Sequence, residues 1–302
     1  MGIRSGQLDL LLGSQPRPHI PDAIELCHLK LGDVAEGVVM GLPLTPNEMT
    51  QSQDVALKAM INTINGLSNV QAVGLGSLCA VIAGRGEGLS TEVATPITTG
   101  SAATAWALLE NIAQLHDGGP IAIVGSRSPV GQVVADTLVS AGWAVRVDSP
   151  RTAHRLGLAA HDSLAQTIRG ATLIVGAGTT GGILDPQILP NSACLIDVAI
   201  PSTLSGPPPR GVCLYSGEAL TAPKTWVRGG WGSLYHLLSG YGYNQVYACL
   251  AEALVMAVTG RTQPFSIGRS IDPESVKEFG HTAKELGFRP TLVRDRRWTF
   301  SR

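Results

Sequence analysis

Two features of this 302-residue chain could do chemistry. The first is the run IAIVG-SRSPV-G, which sets Gly125 at the end of an apolar stretch and Gly131 at the start of a helical one. Glycine permits a sharp strand-to-helix turn and lets backbone N–H groups approach a pyrophosphate, and a helix N-terminus adds partial positive charge. The spacing is that of G-x-x-G-x-x-G with Ser128 in place of the middle glycine. Gly125, Ser126, Ser128, Val130 and Gly131 therefore form a candidate dinucleotide cradle, with an ordinary strand-to-helix turn as the competing reading. The second feature is Cys249, inside YACLAEALVMAV. A thiolate is a strong nucleophile toward thioesters. A cysteine in the middle of an apolar helix is otherwise a small core residue.

A cradle of this kind is completed at the ends of neighbouring strands. The strand after the cradle helix ends in Asp148, Ser149, Pro150 and Arg151. Asp148 suits the free 2′-hydroxyl of NAD(H), whereas Ser149 and Arg151 suit the 2′-phosphate of NADP(H). These residues leave NADPH and NADH both open. A later apolar run, ATLIVGAG, ends in Gly176 and Ala177, where a nicotinamide would lie.

The elements that must carry these residues can be read from pattern. Residues 20–42 predict short strands, and Thr45 with Pro46 predicts a helix start, with a helix running over 47–67. Residues 70–82 read as a buried strand entering a glycine-containing turn, and SAATAWALLENIAQL as a helix. From residue 120 onward, strands alternate with helices, which implies a parallel sheet with right-handed crossovers. Residues 244–258 and the stretch after Pro273 predict two further helices, the second stopping at Gly287. The expected architecture is α/β: a Rossmann-type parallel sheet domain plus a smaller α/β domain completed by C-terminal helices. The expected organisation is an N-terminal substrate domain over 1–100, the nucleotide domain over 101–218, and a C-terminal segment over 219–302. That last segment carries the cysteine helix and packs back on the first domain.

Composition narrows the classes. A 44% apolar and 15% charged chain of net charge −1 fits a globular protein and gives no field for nucleic acid or an anionic membrane. The five cysteines, Cys27, Cys79, Cys194, Cys213 and Cys249, are odd in number, widely spaced and without a C-x-x-C, which argues against a disulfide framework and a cysteine zinc site. No His/Asp/Glu cluster has metal-ligand spacing, so no metal is expected. No secretory leader and no long uncharged apolar run is seen, so a cytoplasmic chain without stable membrane insertion is expected.

Several short blocks in order carry a family resemblance: GLGSLCAVI at 74–82, TTG and TAW within 98–106, IAIVG with Gly131, ILDP at 183–186, LIDVAIP at 195–201, ACLAEAL at 248–254, FSIGR at 265–269 and ELGFRP at 285–290. Through them the chain resembles the cyanobacterial long-chain acyl-[acyl carrier protein] reductases, which form fatty aldehydes. The resemblance implies that Cys249 takes an acyl group from a thioester donor, an acyl carrier protein or CoA. NADPH then supplies hydride, and an aldehyde leaves. It also places Arg151 on a family arginine, favouring NADPH with NADH still open. Hydride attack on the acyl-cysteine would form an oxyanion that needs donors, and the candidates are backbone N–H groups near Gly74–Ser77 or near Thr98–Gly100. His236 matches no family position. Glu252, three residues after Cys249, reads as a hydrogen-bonded carboxylate that orients the helix. The acyl chain and the oligomeric state are left open. Two other functions compete: a dehydrogenase of alcohols or imines on similar architecture that does not use Cys249, and a non-catalytic module that binds nucleotide or a carrier protein.

Overall fold

Alternation sets the first elements. In a computed structural model that describes residues 23–76, 78–222, 225–228, 242 and 244–294, strand β1 (Ile24–Leu31) buries Leu26, Cys27, Leu29 and Leu31 and pairs antiparallel with β2 (Ala35–Gly41). Helix α1 (Pro46–Gln51) starts at a reciprocal cap: the Glu48 N–H donates to Thr45 Oγ1 at 3.2 Å, and the Thr45 N–H donates to Glu48 Oε2 at 2.7 Å. Helix α2 (Gln53–Gly66) buries Ala56, Met60 and Ile64, four residues apart, on one stripe. The single helix expected over 47–67 is thus broken at Ser52, whose backbone (φ −126°, ψ 55°) leaves the helical region.

The buried strand expected over 70–82 is also divided. Only β3 (Val73–Gly74) is extended, and Leu78–Ile82 forms helix α3. Short apolar runs read alike as buried strand or buried helix, and here glycines at 74 and 76 end the strand early. After α4 (Glu87–Ser90), β4 (Ile97–Thr98) pairs parallel with β3.

Helix α5 (Ser101–Leu115) leads into the repeating part of the chain: β5 (Ile121–Val124), α6 (Pro129–Ser140), β6 (Val145–Val147), α7 (Pro150–Leu156), α8 (Leu164–Ile168), β7 (Leu173–Gly176), β8 (Cys194–Asp197), β9 (Cys213–Ser216) and β10 (Ala219–Thr221). Beyond it lie β11 (Thr225–Arg228), β12 (Gln245–Tyr247), α9 (Ala248–Thr259), α10 (Pro273–Glu285), β13 (Arg289–Pro290) and β14 (Val293–Arg294). A six-stranded sheet has the order β14-β9-β8-β7-β5-β6. Strands β5 to β9 run parallel, and β14 is antiparallel on β9. All four residues of β5 and of β7 are buried, as strands covered on both faces must be. From β5 the chain moves outward to β6 and then crosses back to β7 on the other side. Ligands of such sheets bind at that reversal, outside the carboxyl ends of the strands. The architecture is therefore α/β with a Rossmann-type sheet.

By contacts the chain divides into two compact units. Among the described residues, the first contains the stretch up to Gly100, Thr221–Gly268 and Thr282–Phe288. The second contains Ser101–Leu220, Arg269–His281 and the residues from Arg289 onward. No helix among the described residues is long and apolar enough to cross a membrane, and none of them form a group of three or more His, Cys, Asp or Glu side chains that could hold a metal.

None of the five cysteines is in a disulfide. Burial, helped by the nearby Glu25 charge, pushes Cys27 from 9.0 up to about 11. Burial, with a smaller contribution from Cys213, does the same to Cys194, and burial also raises Cys79. A thiol whose folded value lies above its unfolded one keeps its proton in the native state after the unfolded chain has lost it. The native state therefore loses stability as pH climbs from about 9 to about 11. The urea midpoint is expected to fall across that window, and to fall less steeply in Cys27→Ala. Identical slopes in the two proteins would remove Cys27 from the account.

Candidate functional site

The cradle begins where β5 ends. Gly125 has φ +90°, a conformation side chains rarely adopt, and a Cβ placed on it would lie 2.2 Å from the Gly178 nitrogen. The turn is thus pressed against the loop that follows β7. A Cβ on Gly131 would lie 2.3 Å from the Gly125 carbonyl oxygen, so α6 can approach the strand only through glycine. Ser128, where a middle glycine was expected, is the N-cap of α6: its Oγ accepts the Gly131 N–H at 2.9 Å, with Pro129 at the first helical position. Val130 is half-buried in the same first turn.

Asp148 holds the turn from below. Its Oδ2 accepts the Gly125 N–H at 2.8 Å, and its Oδ1 accepts the Ser126 N–H at 3.0 Å and the Ser126 hydroxyl. Ser126 itself is fully buried. Of the two residues offered for a 2′-phosphate, Ser149 is buried and committed as the cap of α7, accepting the Thr152 N–H at 3.3 Å, while Arg151 is exposed on the first turn of that helix. Ala177 is buried and donates its N–H to Val124 O at 2.8 Å, continuing the β5–β7 ladder. Gly176 makes room for a carboxylate that sequence reading did not single out. A Cβ there would lie 2.5 Å from Asp197 Oδ1 and 2.4 Å from Thr203 Oγ1. Asp197 is fully buried and accepts from Ser202 Oγ (2.7 Å), Thr203 N (3.0 Å), Thr203 Oγ1 (2.8 Å) and Ala199 N (3.1 Å), which ties the loop after β8 back to the end of that strand, beside Gly176. The available signal was an acid closing an otherwise apolar strand, LID. A cavity of about 300 Å³ in this unit is lined by Arg146, His161, Gln166 and Arg169, none of which belongs to these loops.

Charge at the end of β6 makes one outcome measurable. Asp148→Asn removes a negative charge that opposes a 2′-phosphate, but it also replaces one of the two oxygens that accept the turn N–H groups with an amide donor, so both affinities are expected to fall and the charge effect is read in their ratio. The ratio of NADPH to NADH affinity is expected to rise about tenfold, the effect of roughly 1.4 kcal/mol. Calorimetric titration of both dinucleotides checks it, and an unchanged ratio would place the ribose elsewhere.

The cysteine site lies in the first unit. Cys249 is not mid-helix as expected. The polar and β-favouring residues before it form β12, and α9 opens at Ala248, so Cys249 is the second helical residue, with Tyr247 as N-cap. Its residue is half-buried rather than sealed. Strands β3 and β4 both end against this first turn. A Cβ on Gly100 (φ +69°) would lie 2.2 Å from Cys249 Cα and 2.3 Å from its Cβ, and a Cβ on Gly74 would lie 3.0 Å from the Cys249 carbonyl oxygen.

One helical turn further, Glu252 is fully buried. The hydroxyls of Thr98 and Ser266 donate to its Oε1, that of Ser266 at 2.8 Å. Two of the oxyanion donors expected between Thr98 and Gly100 are already committed: the Thr99 N–H donates to Ser266 O at 3.0 Å and the Gly100 N–H to Thr98 Oγ1 at 3.2 Å. The Leu75 N–H likewise donates to Thr98 O at 2.8 Å. Ser77 and His236 lie outside the described residues.

No known family model matches this chain. A curated relative, the aminotransferase PigE of Serratia sp., is 25% identical over 287 residues, which is 85% of this chain and 32% of PigE. The chain therefore spans about a third of that protein's length. Among solved structures, a phosphoglycerate oxidoreductase from Vibrio cholerae aligns with a TM-score of 0.28 at 15% identity, over 46% of this chain and 56% of that one. A D-isomer-specific 2-hydroxyacid dehydrogenase from Lactobacillus delbrueckii ssp. bulgaricus, solved with NAD, aligns with a TM-score of 0.29 at 12% identity, over 68% of this chain and 74% of that one. Likenesses this distant carry no argument about activity. The resemblance to long-chain acyl-[acyl carrier protein] reductases is overturned, because the relative matched along most of this chain is an aminotransferase. The blocks that suggested it are short glycine turns and apolar runs, which many two-part α/β chains share.

Proposed function

We propose that this chain is an NAD(P)H-dependent oxidoreductase that reduces an acyl thioester to an aldehyde through an acyl group carried on Cys249. The observation that carries the reading is the placement of that thiol. Cys27, Cys79 and Cys194 are thiols that burial keeps protonated, and Cys213 lies within a sheet strand. Cys249, half-buried like Cys79, Cys194 and Cys213, is set apart by its place in the first turn of a twelve-residue helix, where the helix dipole stabilises an anion, with Gly74 and Gly100 packed against its backbone. Sulfur attack on the thioester carbonyl forms the acyl–Cys249 bond, and the donor's thiol leaves with a proton. A bound dinucleotide would supply the hydride that, with a proton, turns the acyl group into an aldehyde and returns the Cys249 sulfur. The tight strand-to-helix turn between Gly125 and Gly131 supports a dinucleotide at the N-terminus of α6, with Asp148 and Ser128 holding the Gly125, Ser126 and Gly131 N–H groups that shape the turn. The donor in this reading is an acyl carrier protein or CoA. Aminotransferases take carbonyl compounds as amino acceptors, so the match to a third of PigE supports a chain that makes such an acceptor.

Intact-mass measurement after exposure to a panel of acyl-CoA thioesters, without reductant, tests the reading. The expected result is one acyl adduct on Cys249, discharged as aldehyde when NADPH or NADH is added. If no thioester leaves an adduct, the reading fails. A second reading, a dehydrogenase of alcohols or imines that does not use the thiol, is favoured by the fit of Gly100 over Cys249 Cα and Cβ, which any small residue at that position would satisfy.

A further inference from the structure

We propose that Glu252 is a positioning residue for Cys249, acting through Thr98 and the Gly100 turn; the inference rests on the reading of Cys249 as nucleophile. A fully buried carboxylate is costly unless it is hydrogen-bonded, and an apolar side chain would fill the same space without that cost. Glu252 is bonded by two hydroxyls from elsewhere in the unit, both buried: Thr98, at the end of β4, and Ser266, beyond α9. Thr98 Oγ1 also accepts the Gly100 N–H at 3.2 Å and contacts Ser266 O at 3.1 Å. Thr99 adds its N–H to Ser266 O at 3.0 Å, and its hydroxyl lies 3.0 Å from Ser266 Oγ.

These bonds close a ring. It leaves α9 at Glu252, passes through Thr98 to Gly100, and returns to the same helix where Gly100 meets Cys249. Residues 249 and 252 are one turn apart on a shared face. The return contact is the tightest in the ring, because there is no space for even a methyl group between Gly100 and Cys249. A shift of the Gly100 turn therefore moves against the cysteine backbone directly. Glu252 sets where the thiol stands.

The test uses the full chain and reads the rate of Cys249 alkylation by iodoacetamide across pH, with mass spectrometry assigning the site. Thr98→Val removes the hydroxyl that links Glu252 to the Gly100 N–H, and Glu252→Ala removes the anchor. Each is expected to slow alkylation about tenfold and to move its pH profile, the order expected for misplacement by a fraction of an ångström. Glu252→Gln retains an oxygen acceptor and is expected to recover most of the wild-type rate. Circular dichroism and dinucleotide affinity, unchanged in Thr98→Val, separate positioning from unfolding, and this variant decides the matter if Glu252→Ala does not fold. A profile for Thr98→Val that superimposes on wild type, or a faster rate, overturns the proposal. If the variants slow alkylation but no thioester ever acylates wild-type Cys249, the ring stands and the acyl reading falls. If the adduct forms and the profiles superimpose, the reverse holds.

Discussion

Cys249→Ala is expected to lower aldehyde formation by about a thousandfold or more, the scale seen when a covalent nucleophile is removed. Dinucleotide affinity should stay within about twofold, since, among the described residues, no hydrogen bond of the Gly125–Gly131 turn involves the thiol. Alanine fits the space: it keeps the Cβ that already lies against Gly100 and removes only the sulfur. A fall in turnover with normal circular dichroism would therefore report chemistry rather than folding. The result also separates the two readings. Retained oxidation of alcohols or reduction of imines by Cys249→Ala would favour the thiol-independent dehydrogenase. Cys213→Ala is a useful companion, because that thiol sits in β9 and no role is assigned to it.

Gly131→Ala is expected to weaken binding of NADPH and NADH together by about a hundredfold, the cost of a misplacement near 1 Å. The added Cβ would stand 2.3 Å from the Gly125 oxygen and 3.0 Å from Ser126 Cα, distances that backbone atoms cannot accommodate without movement. Helix α6 must retreat from the end of β5, carrying its N-terminus and the Ser128 cap with it. Overpacking of this kind destabilises by about 1–3 kcal/mol. Thermal unfolding read alongside binding separates the two effects. Full affinity for either dinucleotide in a folded Gly131→Ala protein would mean that the pyrophosphate does not lie in this turn.

Much of the second unit was legible because local signals agreed there. Four apolar residues, a glycine, a Ser-Pro pair and a second glycine can hardly be read other than as strand, turn and capped helix. The role of Ser128 was harder. It reads as a missing glycine in the motif, whereas its hydroxyl works as a cap. Asp148 was legible as a carboxylate at the right strand end, but not as the group that holds two turn N–H groups, since side-chain partners do not show in spacing. The cysteine site was the least legible. Periodicity over 244–258 is continuous, so nothing in the pattern announces that β12 ends and α9 begins between Tyr247 and Ala248. Glu252 finds Thr98 across 154 residues of chain, a pairing that only tertiary structure creates.

The pairing of β1 with β11 has a consequence for how the molecule is made. His28 lies opposite Arg228, so the central strand of the first sheet waits for a partner translated roughly 200 residues later. The first unit is assembled from three separated stretches, and a nascent chain that has just cleared Gly100 holds only the earliest of them. The Rossmann strands β5 to β9 emerge in sequence and can pair as they leave the ribosome. The cysteine unit must be finished after them, and non-local closure of this kind is slow. Cutting the gene after Gly100 would therefore leave β1 without β11, and β3 and β4 without the helix their ends pack against.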